Sequence, residues 1–179
     1  MMPDMNMKPR LITFLANFFV PLAGISTDIY LPSLPAMAHH FLVSKAFVQI
    51  TVTTYGVGMG LMQFIAGPVS DALGRKKLFI GALLTQIIAI LVILNAQSII
   101  LIIVMRLFQG VGAAFLIVPA RAILNDCFSG EQLKKQFNYI TISFAMGPIL
   151  GPFIGSYLQQ YFDWHACFIF FTGLCHHRA

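Results

Sequence analysis

Five stretches of this chain are apolar for long enough to cross a membrane, and nothing else in it constrains the fold as strongly. They run roughly Leu11–Pro32, Ala46–Val69, Leu78–Asn95, Ile99–Pro119 and Phe137–Leu158, and a sixth begins at Trp164 and reaches Cys175. About 20 apolar residues at 1.5 Å each match the ~30 Å hydrocarbon core of a bilayer. Composition closes off the soluble alternative. The 179 residues are 58% hydrophobic and 9% charged, where a soluble domain carries about 25% charge. So small a globule cannot bury that much apolar surface, and lipid takes the place of water as solvent. The expected fold is an all-α membrane protein, a single transmembrane domain over residues 1–179.

The basic residues give an orientation. Lys8 and Arg10 precede the first span, Arg75, Lys76 and Lys77 lie between the second and third, and Arg121, Lys134 and Lys135 lie between the fourth and fifth. In an alternating topology these all fall on one side, and the other side holds only Lys45. The positive-inside rule places the basic side and the N-terminus in the cytoplasm. The net charge of +5 is thus spread over span ends, which argues for membrane orientation and against nucleic-acid binding. Lys8, Arg10, an apolar stretch and Ala36-Met37-Ala38 imitate a cleaved signal peptide. The segment is too long for one, carries Asp28 and is followed by four further spans.

Cys127, Cys167 and Cys175 show no paired spacing and read as ordinary thiols. Cys175, His176 and His177 form a cluster that invites a metal reading. Adjacent histidines on a helix point in different directions and make a poor site, so no metal is expected. From Trp164 to Cys175 is about 18 Å of helix, short of the ~30 Å core. The end reads as truncated or frame-shifted.

Polar groups inside the apolar runs carry the candidate chemistry. Asp28 lies in the outer part of the first span and Arg106 in the fourth. A carboxylate or guanidinium in hydrocarbon needs a partner, a cavity or water. Counted from the span ends, Asp28 is about 6 Å deep and Arg106 about 10 Å, so the two can meet, directly or through water. One reading is an ion pair that only locks the bundle. The other is a proton site: burial raises the carboxyl affinity for a proton, a nearby guanidinium lowers it, and small movements load and release it. Gln109 follows Arg106 by about one turn and shares its face. Asn17, Tyr30 and Gln63 are further lining candidates, or simply helix–helix hydrogen-bonding groups. In the fifth span Gly147, Gly151 and Gly155 make one smooth face for close packing, and Pro148 and Pro152 favour a bend. Gly56 with Gly60, and Gly110 with Ala114, repeat at the same interval.

The charges concentrate in GPVSDALGRKK, Gly67 to Lys77. Through Gly67, Asp71, Gly74, Arg75, Lys76 and Lys77 this stretch resembles the loop between the second and third helices of the major facilitator superfamily. RLFQGVGAAF, with Arg106, Gly110, Gly112 and Ala113, resembles that family's fourth-helix motif. MGPILGPFIGSYL is similar to the fifth-helix motif of its proton-driven exporters, and Asp28-Ile29-Tyr30-Leu31-Pro32 to the first-helix signature of the drug-exporting branch. With Trp164-His165, the likeness is to the bicyclomycin and chloramphenicol resistance group.

The resemblance implies the N-terminal six-helix bundle of a two-bundle transporter, its sixth helix truncated, in a bacterial inner membrane. It implies alternating access around a central site. Asp28 and Arg106 would couple protons, and Tyr30, Gln109 and Asn17 would touch a small drug-like substrate. Gly67, Asp71, Gly74, Arg75 and Lys76 would gate, with Asp71 facing a helix N-terminus of the second bundle and Lys76 and Lys77 at the anionic inner leaflet. The proton gradient drives such proteins with no cofactor. The partners implied are the bilayer, protons, substrate, and a second transporter half or another copy of this chain. Two rival readings remain: export of a metabolite such as a sugar, amino acid or nucleoside, and a non-transporting remnant or assembly partner. An enzyme is not expected, because no nucleophile–base pair, metal cluster or phosphate loop stands at a plausible depth, and His39 and His40 read as solvated loop residues.

Overall fold

The computed structural model of the protein describes residues 28–172, and among these all regular structure is helical. Asn17, the rest of the first span before Asp28, and the Cys175–His177 end lie outside the described residues. After the 3-10 turn Leu31–Ser33, the helices are α1 (Leu34–His40), α2 (Lys45–Leu73), α3 (Arg75–Leu94) and α4 (Ile99–Cys127), then α5 (Gly130–Ala145), α6 (Gly147–Tyr161) and α7 (Trp164–Thr172).

Among the described residues three helical stretches are long and apolar enough to cross a membrane: Arg75–Leu94, Ile99–Cys127 and Gly130–Tyr161. α2 matches them in length at 29 residues, but Gln49, Thr51, Thr53, Thr54 and Gln63 leave it more polar. Local chemistry sets the ends. The Ser44 side chain accepts a hydrogen bond from Phe47 N–H at 3.2 Å and starts α2. Ser98 accepts from Ile100 N–H at 3.3 Å and starts α4. Both satisfy a donor that the first helical turn leaves orphaned. α2 and α3 are separated by one residue, Gly74, at φ +86° and ψ 134°. Residues with a β-carbon rarely adopt that conformation, so glycine makes the one-residue reversal possible.

The fourth span was expected to stop near Pro119. α4 instead runs through it to Cys127. A proline inside a helix removes one hydrogen bond, and a long helix packed on its neighbours absorbs that loss. The fifth span is divided at Met146, because Pro148 stands at the first turn of α6 and lacks the N–H that would continue the ladder.

The most extensive packing is α2 against α4, followed by α3 against α4. Glycine makes the first contact close. A β-carbon on Gly58 would lie 2.5 Å from the Leu107 carbonyl oxygen, and one on Gly110 would lie 2.8 Å from Met59 N. Gly56 and Gly60, paired by their spacing, meet nothing within 4 Å. A four-residue interval defines a helix face but not which neighbour covers it, and the covered glycine is Gly58, two residues away from either. Elsewhere large apolar side chains point outward, Phe64 at 84% and Phe153 at 76% exposure among them, as expected where the surroundings are lipid.

Candidate functional site

Arg106 is drawn into the bundle by the α2–α4 crossing and is 1% exposed. Its guanidinium carbon stands 3.6 Å from the centroid of the Tyr30 ring, 4.8 Å from Phe168 and 5.8 Å from Tyr55. Three rings from three different segments therefore present their faces to one cation, and ring quadrupoles attract a desolvated cation strongly. Tyr30 is held in turn. Thr51 donates its hydroxyl to the Val48 carbonyl at 2.6 Å, so the Tyr30 hydroxyl donates to Thr51 Oγ1 at 3.3 Å.

Asp28 does not share this cage. Among the described residues no ion pair joins it to Arg106, and its β-carbon lies against α6 at Gly151. A β-carbon on Gly151 would stand 2.8 Å from that of Asp28, and one on Gly155 would collide with the Ile29 carbonyl. Gly147, Gly151 and Gly155 are all buried. The glycine face of α6 thus receives the Asp28–Ile29 backbone and fixes where Asp28 stands. Depth along the span allowed the two charged groups to meet. The Arg106 guanidinium meets the rings of Tyr30, Phe168 and Tyr55.

Gln109 is 1% exposed, and its side-chain Oε1 has no hydrogen-bond partner among the described residues. Its backbone carbonyl accepts from Gln86 Nε2 of α3 at 2.8 Å. A β-carbon on Gly112 would stand 3.3 Å from that same Nε2, so Gly112 leaves room for the Gln86 amide. Tyr30, at 1% exposure, is a wall of the Arg106 cage. Gln63 is exposed on α2.

The second charged group lies at the other end of α2. Arg75 bonds Asp126 near the end of α4 and stands 3.9 Å from Asp71, one turn back. Asp71 is the more exposed carboxylate, its side chain 73% accessible. Gly67 meets nothing within 4 Å, and Lys76 and Lys77 are exposed. Asp126 was not among the expected residues. Its only signal was an acid in the segment between the fourth and fifth spans, on the side where Arg75 lies. Tyr55, Phe168 and Cys167 were also missed, having the composition of any buried helix face.

Over residues 14–175 the sequence matches the Major Facilitator Superfamily. The chain belongs to that family. Three relatives in it are named for resistance. The chain is 35% identical over 147 residues to a bicyclomycin resistance protein homolog of Haemophilus influenzae, covering 82% of this chain and 37% of that protein. It is 31% identical over 150 residues to the chloramphenicol resistance protein of Pseudomonas aeruginosa, covering 83% and 36%. It is 28% identical over 156 residues to multidrug resistance protein D of Escherichia coli, covering 87% and 40%. The chain therefore spans well under half the length of these curated relatives. Membership in the superfamily and the apolar helices make this a multi-pass membrane protein of a transporter family, consistent with the N-terminal part of that fold.

Proposed function

We propose that this chain forms one wall of a proton-coupled exporter of small drug-like compounds in a bacterial inner membrane, with its N-terminus cytoplasmic. The observation that carries the reading is on α4: a buried arginine facing aromatic rings, with a Gln109 side-chain acceptor one turn away that has no partner among the described residues. The resistance names of the relatives support the substrate class. Asp28 takes up the proton. Arg106 acts on it through the Tyr30 segment two residues along, because the two charges are not paired directly. Gln109 accepts a hydrogen bond from substrate, and an aromatic-lined site suits flat, amphipathic compounds. Asp71, Arg75 and Asp126 gate the opposite end. No cofactor is required, since the proton gradient supplies the energy. The wall facing α2 belongs to a second transporter half or another copy of the chain.

Efflux of a fluorescent cationic dye from energised vesicles containing the inserted chain tests this, with an uncoupler as control. The expected result is uncoupler-sensitive efflux that Arg106→Lys abolishes. If the chain alone is silent, the same assay follows with the C-terminal half of the bicyclomycin-resistance relative co-expressed. Silence in both arms overturns the reading.

A further inference from the structure

α3 carries a single glutamine, Gln86, near the middle of its apolar length. In hydrocarbon no water takes up an unused N–H, so such an amide needs a protein partner. Gln86 Nε2 donates to the Gln109 main-chain carbonyl of α4 at 2.8 Å. α4 is helical through this point. Its own ladder uses one lone pair of that carbonyl, and Gln86 takes the other. Small residues allow the approach. A β-carbon on Gly112 would stand 3.3 Å from Gln86 Nε2 and 3.3 Å from the Ala82 carbonyl oxygen, and Ala82 and Ala113 are both buried.

The same residue offers a second acceptor. Gln109 Oε1 is buried and has no hydrogen-bond partner among the described residues. One glutamine of α4 is thus gripped at its main chain and open at its side chain. Its neighbours in sequence do little to fix it. Gly110 lies against the α2 backbone and Gly112 against α3. Such smooth faces let helices come close, but they do not key one helix against sliding or turning on the other. A hydrogen bond is directional, and it does.

We propose that Gln86 is a positioning residue for the α4 site. It fixes the main chain of Gln109 against α3, and so sets where the Gln109 side chain presents its acceptor to a ligand that carries an N–H or O–H donor. The inference rests on the role given to Gln109 above. Gln86 acts through Gln109, so removing it matters to the ligand only while Gln109 is in place. A bond that merely tied α3 to α4 would matter alike whatever stood at position 109.

The test has one readout that needs no ligand and one that does. Gln109–Gly110 is the single Gln–Gly pair of the chain. Labelling glutamine carbonyls with carbon-13 and glycine nitrogens with nitrogen-15 therefore isolates the Gln109 carbonyl by solid-state NMR of the chain in vesicles. Gln86→Met keeps the side-chain length and removes the donor, and the carbonyl resonance is expected to move upfield. The same chains are then titrated with a fluorescent cationic dye bearing amino groups, followed by anisotropy. Gln109→Met should weaken binding about fivefold, the effect of losing one hydrogen bond. Gln86→Met should weaken it by a similar factor, and the double variant no further than Gln109→Met alone. An unmoved carbonyl resonance overturns the proposal whatever the dye does. So does an affinity that Gln109→Met lowers and Gln86→Met leaves unchanged, and so do effects that multiply in the double variant. If Gln109→Met itself leaves the affinity unchanged, the role of Gln109 fails first and the proposal falls with it.

Discussion

Arg106 and Arg75 carry the same guanidinium and live in opposite surroundings. Arg106 is 1% exposed and faces the rings of Tyr30, Phe168 and Tyr55. Arg75 has a quarter of its side chain open, 25%, and faces the carboxylates of Asp71 and Asp126. The difference follows from solvent. Near the end of the bundle, water and counter-ions share the task of solvating charge, and carboxylates can be brought up at little desolvation cost. Deep in the bundle a carboxylate partner would itself have to be desolvated, whereas rings solvate a cation and are already apolar. The chain thus places carboxylates around the arginine at the bundle end and rings around the buried one.

Four experiments break or sharpen this contrast. The largest effect is expected from Arg106→Ala, which empties a closed site among packed rings. Unfolding in mixed micelles should show a loss of about 3 kcal/mol. Gly110→Val comes next. Its side chain would collide with the Tyr55 and Met59 backbone, forcing α2 and α4 apart at a cost of about 1–3 kcal/mol. Arg75→Ala should cost about 1 kcal/mol or less, and that difference should shrink in high salt while the Arg106→Ala difference does not. The smallest effect is expected from Asp71→Asn, below about 0.5 kcal/mol and smaller than that of Asp126→Asn. If Asp71→Asn proves the more costly of the two, Asp126 is not the principal partner of Arg75.

Much of this was legible in the sequence, for reasons that also show where legibility ends. Span positions follow from apolar runs, and Arg106 with Gln109 stands out because charge and amide are costly inside such a run. Gly74 entered only through the motif it shares with the family, and the structure supplies its reason, a one-residue link at positive φ. The partners were not legible. Tyr55, Phe168 and Asp126 come from other helices, and nothing local to Arg106 or Arg75 names them. Gly58 was passed over for Gly56 and Gly60 because spacing reveals a face without its neighbour. The glycine face of α6 was read as a packing surface, and the structure adds what packs there: the Asp28–Ile29 backbone.

The central claim is that the buried cation of this chain is held by rings. A pair of double-mutant cycles in equilibrium unfolding tests it most directly, one linking Arg106→Met with Tyr30→Leu and the other linking Arg106→Met with Asp28→Asn. The account predicts a coupling of about 1–2 kcal/mol between Arg106 and Tyr30, and less than half of that between Arg106 and Asp28. A larger coupling to Asp28 than to Tyr30 would contradict it, and would restore an ion pair at the centre of the site.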